Sequence, residues 1–178
     1  MKKNQKIVFI SIYCCLAIVL DYIKTFIPFL NMPSGGSINI ALIPIVICSF
    51  HLGIFCSMIC GLIWWILSSM FGLNPYFISI IQYLLDYIIP SVIVGIASIF
   101  YHKKNIFEIE MGIVIMMLIR TVSIVISGAI YWPGQLSSGS LAAWTASIVY
   151  NLPYSLATLI MLLIIIPSLL SGLKKHML

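Results

Sequence analysis

The feature that most constrains this chain is a series of apolar runs, several of them about 18 to 25 residues long, separated by short polar breaks. Such a run crosses ~30 Å of hydrocarbon as a helix, which pairs every backbone N–H and C=O within its own segment. A water-soluble fold would lack polar surface, because 62% of the 178 residues are hydrophobic and 7% are charged. The runs predict an all-α membrane protein, a single bundle of six transmembrane helices at about 7–26, 38–50, 53–71, 77–101, 111–132 and 143–170. The second run reaches only about 20 Å at ~1.5 Å per residue, so it must tilt, be shielded by neighbours, or cross a thinner part of the bundle. Asn31 to Gly36, Leu73-Asn74-Pro75 and Pro133-Gly134 through Gly139 carry turn chemistry between the runs.

Charge placement orients the bundle. Lysine and arginine concentrate on cytoplasmic flanks. Lys2, Lys3 and Lys6 precede the first run, Lys103 and Lys104 lie between the fourth and fifth, and Lys174 and Lys175 follow the sixth. An even number of spans puts all of these on one side. The opposite loops, around 27–37, 72–76 and 133–142, hold no charged residue. Both termini are therefore expected in the cytoplasm of a multi-pass plasma-membrane protein. Lys24 is the exception, and Asp21, one turn earlier, is placed to offset it. The net charge of +5 reports this topology and offers no basic surface suited to nucleic acid. The first run has the outline of a signal peptide, but Asp21, Tyr22 and Lys24 follow where a small-residue cleavage site belongs, so the span is expected to be retained.

Ionisable groups inside hydrocarbon cost about 2.5–3.5 kcal/mol on insertion scales, so each one needs a partner or a purpose. Asp86 in the fourth run and Arg120 in the fifth are the two at depth. Counting residues puts Asp86 ~13 Å and Asn151 of the sixth run ~12 Å below the outer surface, with Arg120 ~18 Å down. Trp132 and Tyr131 close the fifth run above them. One reading is a cavity open to the outside, with a carboxylate and an amide on its floor and an indole at its rim. It would suit a flat, cationic or amine-bearing heteroaromatic ligand. The other reading makes the aromatics an interfacial belt and Asp86 with Arg120 a structural ion pair. Pro90 and Pro153, close to the polar residues, free backbone carbonyls and either kink a helix around a cavity or merely bend it.

Catalytic and metal motifs are missing. No Gly-x-x-x-x-Gly-Lys-Ser/Thr loop, His-Glu-x-x-His motif or nucleophile triad occurs, so neither enzymatic activity nor ATP hydrolysis on this chain is expected. Cys14, Cys15, Cys48, Cys56 and Cys60 fall within apolar runs, and His51, His102 and His176 at their ends, which points to packing and not to metal ligation.

The stretch Met32 to Ile40 with Ile43-Pro44-Ile45, then Leu84-Leu85-Asp86-Tyr87, Arg120 with Ser127-Gly128 and Trp132, and Tyr150-Asn151 with Tyr154 resembles the thiamine-specific substrate-binding subunits of energy-coupling factor transporters. The likeness runs in order over nearly the whole chain. It implies a membrane-embedded subunit that captures a vitamin from outside, powered by a separate module of one transmembrane coupling protein and two ATPases. ATP is then used by the partners, and this chain carries no cofactor. The resemblance implies ligand contacts by Asp86, Tyr87, Trp132, Asn151 and Tyr154. It also implies docking on the coupling protein through small residues of the first helix, here Ser11 and Cys15 followed by Ala17. Ile124 stands where the family commonly has a histidine, Ala146 where an aromatic is expected, and Gly35 near a position that some members give to tryptophan. These departures leave a thiamine precursor or another vitamin as alternative cargo, and a structural membrane protein without cargo as the contrasting class.

Overall fold

The computed structural model describes residues 2–31, 36–71, 76–102 and 105–177, the side chains of 173–177 excepted. Met32 to Gly35, Leu73 to Pro75, Lys103 and Lys104 lie outside the described residues, and nothing is said of the side chains of Lys174, Lys175 and His176.

Among the described residues the chain forms six helices: α1 (Lys3–Thr25), α2 (Leu42–Leu52), α3 (Ile54–Met70), α4 (Ile80–Ser98), α5 (Ile106–Tyr131) and α6 (Leu141–Met177). Four of them, α1, α4, α5 and α6, are long and apolar enough to cross a membrane. Alternation places both chain ends at one end of the bundle, the terminal end. The turns after α1, α3 and α5 lie at the other, the far end.

Several helix limits differ from the apolar runs, for local reasons. Alpha1 starts before Ile7 because the Gln5 side chain accepts the Lys2 N–H at 3.0 Å and caps a polar first turn. Alpha5 starts before Met111 because Asn105 Oδ1 accepts the Glu108 N–H at 2.8 Å. Alpha2 begins only at Leu42, since Asn39 turns the chain: its N–H donates to Thr158 Oγ1 at 3.1 Å and its Oδ1 accepts the Ala41 N–H at 3.2 Å. Gly53, at φ +91°, then reverses direction into α3, a conformation that side chains disfavour.

The short second helix is explained by its surroundings. Leu42 and Pro44 through Ser49 are buried, and α2 packs against α1, α3, α4 and α6. With 11 residues it is enclosed by longer helices that face the lipid for it. Close helix crossings rely on glycine. A Cβ on Gly61 would run into the Ser91 carbonyl of α4, and one on Gly112 into the Ala97 carbonyl.

The bundle has an apolar core that includes Ile10, Cys14, Ile45, Val94, Ile113, Met116, Leu162 and Ile166. It is crossed by the buried hydroxyls of Ser49, which donates to Gly95 O, and Ser57, which donates to Ile45 O. Asp21, Ser68, Gln82, Ser91, Ser123, Ser127, Ser147, Asn151 and Ser155 are buried towards the far end. Asp21 meets Lys24 at 2.6 Å and accepts Ser68 Oγ from α3 at 3.1 Å, so it offsets Lys24 and ties α1 to α3. The five cysteines are free. Cys14 and Cys60 approach to 3.3 Å within the apolar core.

Candidate functional site

The fourth helix is irregular where its polar residues lie. It opens with an α-turn (Ile80–Tyr83), widens to π-pairing over Leu84–Ile88, returns to α over Ile89–Val92 and tightens to a 3-10 helix over Ile93–Ser98. Pro90 supplies the reason. It has no N–H for the Asp86 carbonyl, and its ring would clash with that carbonyl in a regular helix. The widened turn relieves the clash, and the Ile89 N–H reaches back to Leu84. Asp86 sits in that turn.

Carbonyls disturbed by the irregular pairing are met by side chains. Ser123 Oγ donates to Leu85 O at 2.7 Å, Ser91 Oγ to Tyr87 O at 2.6 Å, and Arg120 Nη1 to Pro90 O. This arrangement replaces the expected alternative of an Asp86–Arg120 ion pair. Among the described residues the one ion pair is Lys24–Asp21.

Asp86 is half-buried, and its Oδ2 accepts two hydrogen bonds, from Gln82 Nε2 at 2.7 Å and from Trp132 Nε1 at 2.8 Å. Both bonds end on the same carboxylate oxygen. Trp132, 44% exposed at the end of α5, also meets Tyr76 edge-on, with ring centroids 5.9 Å apart. The indole thus joins the last turn of α5 to α4 and to the turn preceding α4. Tyr87 faces the other way: it stacks on Trp65 of α3 at 4.6 Å with rings 2° from parallel, beside Tyr83 and Phe77. That cluster packs α3 against α4.

On α6, Asn151 is 4% exposed and its hydrogen bonds run within the helix. Nδ2 donates to Ser147 O at 2.8 Å and to Ser147 Oγ at 3.1 Å, while Oδ1 accepts the Tyr154 hydroxyl. Ser147 Oγ in turn donates to Val125 O of α5 at 2.9 Å. Gly128, one turn before Trp132, lies directly over Ser147 and Asn151, where a Cβ would collide. The last two turns of α5 therefore bear Asp86 on one side and Asn151 on the other. Asn151 anchors Tyr154, whose ring packs against Gly36 of the first far-end loop. Tyr150 accepts the Gly36 N–H at 2.9 Å.

Ile124 is half-buried on α5, and Ala146 is exposed on α6. On α1, Ser11 and Cys15 are exposed along a face with Val8, Ile12, Leu16 and Val19. Ala17 does not share it. It is 0% exposed and belongs to the core, as ~100° per residue along a helix requires for a position two residues beyond Cys15.

Sequence reasoning missed Gln82, which bonds Asp86 from one turn away, and Ser123 and Ser147, which fix the register of α5. The Gln-x-x-x-Asp spacing on one helix face was the available signal for the first. For the serines, only the three-dimensional pairing of helices gives it.

The chain is similar to known proteins over nearly its full length. It is 29% identical over 176 residues to the thiamine transporter ThiT of Bacillus subtilis (strain 168), covering 93% of this chain and 90% of that protein. Its fold matches a solved structure of ThiT from Listeria monocytogenes with a TM-score of 0.81 at 24% identity, over 98% of each chain. The family model described as thiamine transporter protein matches residues 7–177. The chain therefore belongs to the thiamine transporter protein (Thia_YuaJ) family and is a multi-pass protein of the plasma membrane.

Proposed function

We propose that the chain is the capture subunit of an energy-coupling factor importer, which binds thiamine at the far end of the bundle and delivers it across the membrane with a separate ATPase module. The observation that carries this reading is the Asp86 carboxylate. It is half-buried beside an exposed indole and held by two donors, in a chain of the thiamine transporter family. Thiamine offers a positively charged thiazolium and an aminopyrimidine. A carboxylate pairs with the charge or accepts from the amine, and the Trp132 face supplies stacking area. Tyr87 and Tyr154 complete the aromatic surroundings, and Asn151 fixes the second. Ile124 and Ala146 make a pyrimidine or thiazole precursor the competing cargo.

The lysine distribution assigns the terminal end to the cytoplasm, so the site opens outward. The exposed stripe at Ser11 and Cys15 is then the surface for the transmembrane coupling protein, whose small residues allow close helix approach. ATP is consumed by the two ATPases of that module.

The test is a titration of detergent-solubilised protein with thiamine, its pyrimidine and its thiazole, following tryptophan fluorescence. A saturable change strongest for thiamine is expected. The absence of any saturable change across the panel refutes the capture reading. Uptake into vesicles by the chain alone refutes the importer part.

A further inference from the structure

We infer that Gln82 is a positioning residue of this site: it holds one oxygen of Asp86 and so presents the other to the cargo. The inference rests on the capture reading above and adds a residue that the resemblance does not assign.

Gln82 is 0% exposed. Its Oε1 accepts the Ile78 N–H at 3.1 Å, and its Nε2 donates to Asp86 Oδ2 at 2.7 Å. Its own N–H is taken by the Ser79 hydroxyl that caps the helix, at 3.1 Å. These bonds fix the amide's orientation. A backbone N–H can only donate, so Oε1 must face Ile78. A flipped amide would set N–H against N–H at one end and oxygen against carboxylate at the other. Gln82 is therefore obliged to donate to Asp86.

The Trp132 indole N–H reaches the same oxygen, Oδ2, at 2.8 Å. Oδ1 has no hydrogen-bond partner among the described residues. Carboxylate torsions are broad and nearly two-fold, so a lone aspartate has little preference for which oxygen it offers. Two donors on Oδ2 remove that freedom and leave Oδ1 beside the Trp132 ring for a cation or an N–H. Trp132 is exposed and can move with the cargo, whereas Gln82 is buried. Gln82 is the fixed member of the pair.

The experiment compares the wild type with Gln82→Met, which keeps the length and removes the donor, and with Gln82→Glu. Thiamine affinity is read by fluorescence from about pH 5.5 to 8.5, together with melting temperature. The titratable groups next to the pair are Tyr87 on α4, which interacts with both Asp86 and Gln82 and has Tyr83 and Tyr76 beside it, and Tyr154 on α6. The wild type is the reference at each pH.

Gln82→Met should bind roughly 10-fold more weakly at every pH while melting near the wild type. Gln82→Glu should approach the wild type at the acid end, where a protonated side chain still donates to Asp86. It should weaken as the pH rises and two carboxylates oppose each other. The positioning role is overturned if Gln82→Met binds within ~2-fold of the wild type, or if the ratio of Gln82→Glu to wild-type affinity does not change with pH. Asp86→Asn separates the two levels. If it binds thiamine normally, the reading of the site itself fails. If it loses binding while both Gln82 variants keep it, only the positioning fails.

Discussion

Asp86→Asn probes the charge of the site without changing its shape. In the wild type, Oδ2 accepts from Gln82 at 2.7 Å and from Trp132 at 2.8 Å. An asparagine must turn its oxygen towards these two donors, because its NH2 would oppose them. Its NH2 then occupies the place of Oδ1, so a position that accepted now donates. The cargo loses one charge-assisted hydrogen bond, about 1.5–3 kcal/mol, or roughly 10- to 150-fold in affinity. Stability should barely change, since the Gln82 and Trp132 bonds persist in neutral form and the position is half-buried. The assay is a pair of thiamine titrations by tryptophan fluorescence, with thermal unfolding in the same detergent. If the variant binds within ~3-fold of the wild type, the carboxylate is not a cargo contact. Unfolding of the variant would instead identify Asp86 as a structural lock between α4 and α5.

Three further outcomes follow from the packing. Gly112→Ala drives a methyl into the Ala97 carbonyl and should cost about 1–3 kcal/mol of stability, read as a lower melting temperature. Cys15→Phe enlarges the exposed stripe of α1, so thiamine affinity and melting should match the wild type, while co-purification with the coupling module and uptake both fall. Pro90→Ala restores the missing N–H; if the π-turn closes, residues before it rotate by ~100° relative to those after it. Affinity for thiamine should then fall roughly 10-fold or more with no loss of melting temperature.

The long helices were legible because a membrane demands a continuous apolar run, and few other structures satisfy that demand. Their limits were less so, since Gln5, Asn39 and Asn105 set them through single hydrogen bonds that hydropathy does not register. Asp86, Trp132 and Asn151 stood out as polar or amphipathic residues in costly places, and α5 does bring the first two into contact. The relation of the third to them was legible only as similar depth. Which face a side chain occupies decides its role, and for Ala17 the helical period alone would have separated it from Ser11 and Cys15. For Arg120 the sequence offered Asp86 as the natural partner because charges are conspicuous and carbonyls are not. A backbone oxygen is present at every residue, so the sequence cannot mark the one that is in need.

That oxygen also explains why a second charge lies within the hydrocarbon. To present a carboxylate near the far end, α4 departs from regular pairing at Leu84–Ile88, and Pro90 enforces the departure. In water the disturbed carbonyls would be solvated, whereas in a bilayer each needs a protein donor. Three donors are supplied: Ser123 to Leu85, Ser91 to Tyr87 and Arg120 to Pro90. Two of them come from α5, the helix that also ends in Trp132. The break in α4 is thus braced by the same helix that places the indole on Asp86, so Arg120 supports the geometry of the site without touching its carboxylate. Asp86 and Arg120 are linked through the backbone of one irregular helix, and a change at either end of that link alters the aim of the other.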